Sequence, residues 1–117
     1  MDLFDSTHHL LEAALRGASA RHTALSTNIA NANTAGYQRV DVDFHSALRG
    51  AAGEDPEAAE ELEFAAQVEP GVMQVDGNGV DIDVEAAELA ANGLEYQALV
   101  AVLNGRRSII QSAIGVR

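Results

Sequence analysis

A chain of 117 residues with a formal net charge of −11 and no cysteine has room for one modest core. That acidity excludes a protein that neutralises phosphates or rests on an anionic membrane surface, so no nucleic-acid partner is expected. The missing cysteine excludes disulfide and thiol chemistry.

Of the residues, 47% are hydrophobic, but many of these are Ala and there is no Trp. Such a composition suits helices packed closely against neighbours better than a thick globular core. The first residues, MDLFDSTHHLLEAALRG, are acidic where a secretory signal needs basic ones. No apolar run reaches the length that spans a bilayer. The expectation is a chain without membrane insertion, exported, if at all, by a route that needs no cleaved signal.

From Asp2 to about Asn33, Phe4, His8, Leu11, Leu15, Ala18, His22, Leu25, Ile29 and Ala32 recur at alternating spacings of four and three. This is a heptad seam and predicts a long helix. Asp2 or Asp5 is the candidate cap at its start, and Gly36 suits a left-handed residue beyond its end. His8 and His22 fall on the seam and His9 beside it. No two of the four histidines share the i, i+4 spacing of a helical metal site, so semi-buried packing is the expected role.

Val40, Val42 and Phe44 then alternate with Asp41 and Asp43, which predicts a half-buried strand with the two carboxylates on its solvated face. Residues 45–67 read as a surface insertion, short helix or disordered segment. Asp55-Pro56 is a candidate helix start inside a run of six acids. Pro70-Gly71 and Asp76-Gly77-Asn78-Gly79 are turn clusters, and a small hairpin using Val72 to Val75 is expected between them. DGNGVDID is not a calcium loop: counted from Asp76, Asp81 stands where the loop needs Gly, and Ala87 where it needs Glu.

Asp81 or Asp83 is expected to cap a last helix from about Asp83 to Ile114, with Glu85 adding favourable charge to its first turn. Leu89, Asn92, Tyr96, Leu99, Leu103, Arg106, Ile110 and Ala113 repeat the four-three spacing. Gly93 and Gly105 interrupt it and are expected where another helix crosses closely. The expected fold class is mainly α. Long N- and C-terminal helices (1–35 and 83–117) pair as a coiled-coil hairpin around an extended or β-hairpin middle (36–82) with an acidic insertion. Because the seams are rich in Ala and polar residues, the pair is marginal alone, and other chains are expected to complete both seams.

Two stretches resemble a known family. In STNIANANTAGYQRVDVDF, residues Asn28, Ile29, Ala30, Asn31, Thr34, Gly36 and Tyr37 match the signature that ends the N-terminal helix in bacterial flagellar axial proteins. Thr27 and Ala35 depart from it. In DGNGVDIDVEAAELAANGLEYQAL, residues Asp76 to Asn78, Val80, Asp81, Asp83, Glu88 to Ala90, Tyr96, Ala98 and Leu99 resemble the C-terminal signature of the proximal rod members.

That resemblance implies a structural subunit of the flagellar basal-body rod, not an enzyme, with no cofactor, metal or small-molecule ligand. Its implied partners are copies of itself, other rod proteins, the membrane-ring adapter protein and the export gate, at a periplasmic location. It assigns subunit contacts to Leu11, Leu15, Leu25, Asn28, Ile29 and Asn31 on the first helix, and to Leu89, Asn92, Tyr96, Leu99, Leu103 and Ile110 on the last. The turns between them fall to Thr34, Gly36, Tyr37, Asp81 and Asp83. Another axial protein, a cytosolic helical-hairpin adaptor or export chaperone, and a small metal-binding protein are the alternatives.

Overall fold

The computed structural model describes residues 3–69 and 79–115. The elements are α1 (Leu3–Ala30), β1 (Val40–Asp41), α2 (Phe44–Glu54), a 3-10 helix (Pro56–Glu61), β2 (Gln67–Val68) and α3 (Ile82–Ile114). The body is elongated, 65 × 29 × 15 Å. None of the helices is long and apolar enough to cross a membrane among the described residues.

α1 and α3 lie antiparallel. Asn28 meets Glu85, Arg21 meets Glu88, and Ala18 meets Asn92, so numbers fall along one helix as they rise along the other. The pairing predicted from the two seams is therefore present, with Ala18 and Leu25 of the first seam fully buried. Position 5 lies inside α1, so Asp5 is not its cap, and Asp2 lies outside the described residues. Asp81 does cap α3, its Oδ1 accepting from the amides of Asp83 and Val84.

α1 is also buried on a second flank, which the heptad reading did not foresee. Ala13, Gly17 and Ala24 are buried there. Phe44 sits directly over Gly17: a Cβ at Gly17 would come within 2.5 Å of the Phe44 Cβ. Phe44 packs with Ala18, Ala24 and Val42, flanked by Leu48, Phe64 and Leu99. The Arg16 guanidinium donates to the carbonyls of Ala59 (2.9 Å) and Glu60, tying the 3-10 helix to the same flank.

Several local expectations are corrected. The strand predicted through Phe44 stops at Asp41, because Asp43 caps α2 by accepting from the Ser46 amide and hydroxyl, so Phe44 opens a helix. Asp41 does not lie on a solvated face but is largely buried against two arginines. The acidic segment does begin a helix at Asp55-Pro56, of the 3-10 type. The antiparallel pair in the middle joins β1 to β2, Val40 opposite Val68 and Asp41 opposite Gln67. The hairpin expected at Val72–Val75 lies outside the described residues.

His8 and His22 are exposed, not semi-buried, because α3 crosses α1 on the Ala18–Leu25 side and leaves those positions on the open flank. His8 contacts Glu12 one turn on, and His9 is the histidine that packs, 2.6 Å from Glu60. Gly93 and Gly105 mark no close approach within the chain, since an added Cβ at either meets nothing within 4 Å.

Candidate functional site at the helix junction

The described parts of the two signature stretches converge where α1 ends, β1 passes and α3 begins. α1 terminates through Asn31, whose side-chain amide donates to the Thr27 carbonyl at 2.9 Å while the Thr34 hydroxyl donates to its Oδ1. The chain then reverses through Gly36 at φ 76°, the left-handed region that a Cβ disfavours. Gly36→Val should therefore cost about 1–2 kcal/mol in a urea melt even though its surroundings are open.

Asn28 organises the segment beyond this turn. Fully buried, its Oδ1 accepts from the Val40 amide at 2.8 Å and its Nδ2 donates to the Val40 carbonyl at 2.7 Å. The side chain thus replaces a neighbouring strand residue on the edge of β1 away from β2, meeting backbone groups that would otherwise be buried unpaired. The Tyr37 hydroxyl donates to the same Oδ1. Beyond it, Gln38 bridges Gly79, where any Cβ would strike the Tyr37 carbonyl at 2.6 Å. Asn28 and Tyr37, Asn31 and Thr34, and Gly36 are in this way brought into one device that sets the exit of the middle segment. Asp81 serves the α3 side of it, and Asp83 is exposed in the first turn of α3.

Beneath this turn lies a web of ion pairs. The Arg21 Nε and Nη2 grip both oxygens of Asp41, at 2.8 and 3.2 Å, and Nη2 reaches Glu88 at 2.8 Å. Arg39 donates from Nε to Glu85 at 2.6 Å, from Nη2 to Asp41 and Glu85, and from Nη1 to Glu69. Glu85, 1% exposed, also accepts from Asn28 at 3.1 Å. Two arginines thereby fasten α1, β1, the residue after β2 and α3 together.

The hydrogen bonds that Arg21 donates to Asp41 raise its pKa, and those that Arg39 donates to Glu85 raise its own, against the opposing effect of burial. Burial pushes Asp41 up, but the Arg21 hydrogen bonds, the Val42 amide and Arg39 together hold it below the usual carboxylate value. A depressed folded-state value means stability fully present above the unfolded pKa, about 3.9, and lost as pH falls through the folded one. Helical circular dichroism should therefore fall away below about pH 4. Asp41→Asn should flatten that acid limb while lowering stability at neutral pH.

The sequence reading missed Arg21 and Arg39 and assigned Glu85 only a role in the first turn of α3. The one signal in the chain was compositional, since all seven cations of this acidic protein are Arg, the residue suited to forked carboxylate contacts. The junction carboxylates are engaged by guanidinium and amide donors, and among the described residues no three His, Asp or Glu side chains are grouped to hold a metal ion. The arrangement is one that fixes geometry.

The remaining predicted contact residues spread along the helix pair. Leu25, Asn28 and Asn92 are buried within one copy, and Asn92 donates to the Ala18 carbonyl at 2.8 Å. Leu11, Leu15, Ile29, Leu89, Leu99 and Leu103 are half-buried, whereas Tyr96 and Ile110 are exposed.

No protein-family model matches the chain. It is 35% identical to the flagellar basal body rod protein FlgB of Aeromonas hydrophila, across 95% of this chain and 94% of that one. The chain belongs to the FlgB family. The FlgB protein of Escherichia coli K12 is 30% identical over 91% of both chains, and that of Bacillus subtilis 29% identical over 97% of both. Coverage of this extent takes in the junction and most of both long helices, so the likeness to FlgB is not confined to one motif.

Proposed function

We propose that this protein is a structural subunit of the proximal flagellar rod, without enzymatic activity. It leaves the cytoplasm by the flagellar export route and assembles helically in the periplasm through its terminal helices. The resulting tube serves as drive shaft and as channel for later exported subunits. Its neighbours are copies of itself, other rod proteins, the membrane-ring adapter and the export gate.

The observation that carries this reading is the coverage of relatives named flagellar basal body rod protein, at both helices and across the junction between them. The exposed apolar side chains of α3 support it, because Leu94, Tyr96, Val102, Ile109, Ile110 and Ile114 remain 42–81% exposed within one copy. On this reading residues 4–32 and 84–113 carry subunit contacts. Leu25, Asn28 and Asn92 act by holding the helix pair in shape, and Tyr96 and Ile110 by direct contact.

The test is mass spectrometry of detergent-extracted hook–basal bodies from the source cell. Retention of the chain after the membranes are dissolved is the expected result. Recovery only in the soluble cytosolic fraction would overturn the rod reading in favour of the adaptor. In the same cells Gly36→Val should abolish swimming.

A further inference from the structure

On the open flank of the helix pair, where neither α2 nor the 3-10 helix reaches, lies a mainly apolar cavity of about 290 Å³. Ala18, Ser19 and His22 of α1 line it from one side, Gly93 and Tyr96 of α3 from the other, with Asn92 between them. Its small residues leave room for an incoming ridge, and a Cβ added at Gly93 would meet nothing within 4 Å. Asn92 is 1% exposed, and its Oδ1 has no hydrogen-bond partner among the described residues. None of these side chains carries a formal charge.

A matching ridge lies further along α3. Ala98, Val102, Gly105 and Ile109 stand at i, i+4, i+7 and i+11, on one helical face turned away from the Asn92–Leu99–Leu103 seam. All four are exposed, Ile109 at 67%. We propose that the groove at Ala18 and Gly93 is a socket for this ridge from a second copy of the chain. The inference rests on the rod reading and deepens it.

Two arguments select that occupant. Groove and ridge share one continuous helix: positions 93 and 105 are about 18 Å apart at 1.5 Å per residue, so one copy cannot satisfy itself. Charge is the second. In a chain of net −11, residues 96–115 contain no acid and include Arg106 and Arg107. This is a segment that can approach another copy with little repulsion. In the head-to-tail arrangement of a helical rod, each copy offers its ridge to one neighbour while its groove receives another's.

The absence of cysteine makes the test direct. Ser19→Cys and Ile109→Cys place thiols on groove and ridge. Within one copy they are too far apart to join: Ile109 lies beyond Phe4 along the antiparallel pair, about 20 Å or more from Ser19. Oxidation of hook–basal bodies carrying the double variant should give a ladder of dimers, trimers and higher species on non-reducing gels. Each single variant should remain monomeric. Gly93→Leu should melt no lower than wild type, since its side chain meets open space in a helix, yet be recovered in basal bodies at least about tenfold less than wild type.

Dimers from Ser19→Cys alone, or no ladder together with normal incorporation of Gly93→Leu, would overturn the socket while the wild-type chain remained in basal bodies. Absence of the wild-type chain from basal bodies would instead overturn the rod reading. Cross-linking of the concentrated purified double variant then decides the socket by itself, a ladder supporting it and monomer rejecting it.

Discussion

Arg39→Met should be among the most damaging single substitutions in this chain, costing about 3–5 kcal/mol in chemical denaturation. The side chain it removes is the main cation facing Glu85, which is 1% exposed and would be left charged with only Asn28 for company. Against a total stability of about 5–15 kcal/mol for a small domain, that loss is a large fraction of the whole. The double variant Arg39→Met, Glu85→Leu should recover a large part of the loss, because replacing both partners of a buried pair by apolar groups removes the uncompensated charge. A double variant as unstable as the single one would show that Arg39 acts through Asp41 and Glu69 instead. Urea melts of the four proteins at pH 7 separate the two outcomes.

The second large effect is expected at the contact between Gly17 and Phe44. In an exposed helix interior, Gly→Ala is favourable by about 1 kcal/mol. At Gly17 the new Cβ would lie 2.5 Å from the Cβ and 2.6 Å from the Cγ of Phe44, atoms near the backbone that cannot swing aside. Gly17→Ala should thus destabilise by about 1–3 kcal/mol, and Phe44→Ala by about 3–5 kcal/mol. Gly105→Ala, with nothing within 4 Å of its added Cβ, should follow propensity and stabilise the isolated chain by up to about 1 kcal/mol. Opposite signs at two glycines of long helices, read as shifts in melting temperature, are the diagnostic result. A stabilising Gly17→Ala would refute the seating of Phe44 on α1.

The two long helices could be read from sequence because their apolar spacing is local and sustained for about four turns or more. Gly36 could be read for a similar reason, as a single residue type answering to a single backbone requirement. The ion web at the junction could not. Its pairs join residues 20, 46 and 67 positions apart, and no periodicity links Arg21 to Asp41 and Glu88, or Arg39 to Glu85. Alternation misled at Phe44, where Val40, Asp41, Val42 and Asp43 continue a period of two up to a capping residue. The cap was visible as Asp43 followed three positions later by Ser46, a helix-start signal that outweighed the alternation once Phe44 had a glycine to sit on. Asn28 occupied a recognisable motif, but its pairing with Val40 depends on a turn of several residues returning the chain alongside α1.

The junction's reliance on forked guanidinium contacts has a mechanical consequence. Apolar surfaces are indifferent to direction and can slide, whereas hydrogen bonds weaken steeply once misaligned. Rotating the middle segment about α1 would misalign the Arg21–Asp41 fork, the two-way bond between Asn28 and Val40, and the Arg39–Glu85 contact at the same moment. The joint is therefore stiff in torsion, while the distal end of α3, which these ties do not reach, can bend to meet whatever lies beside it.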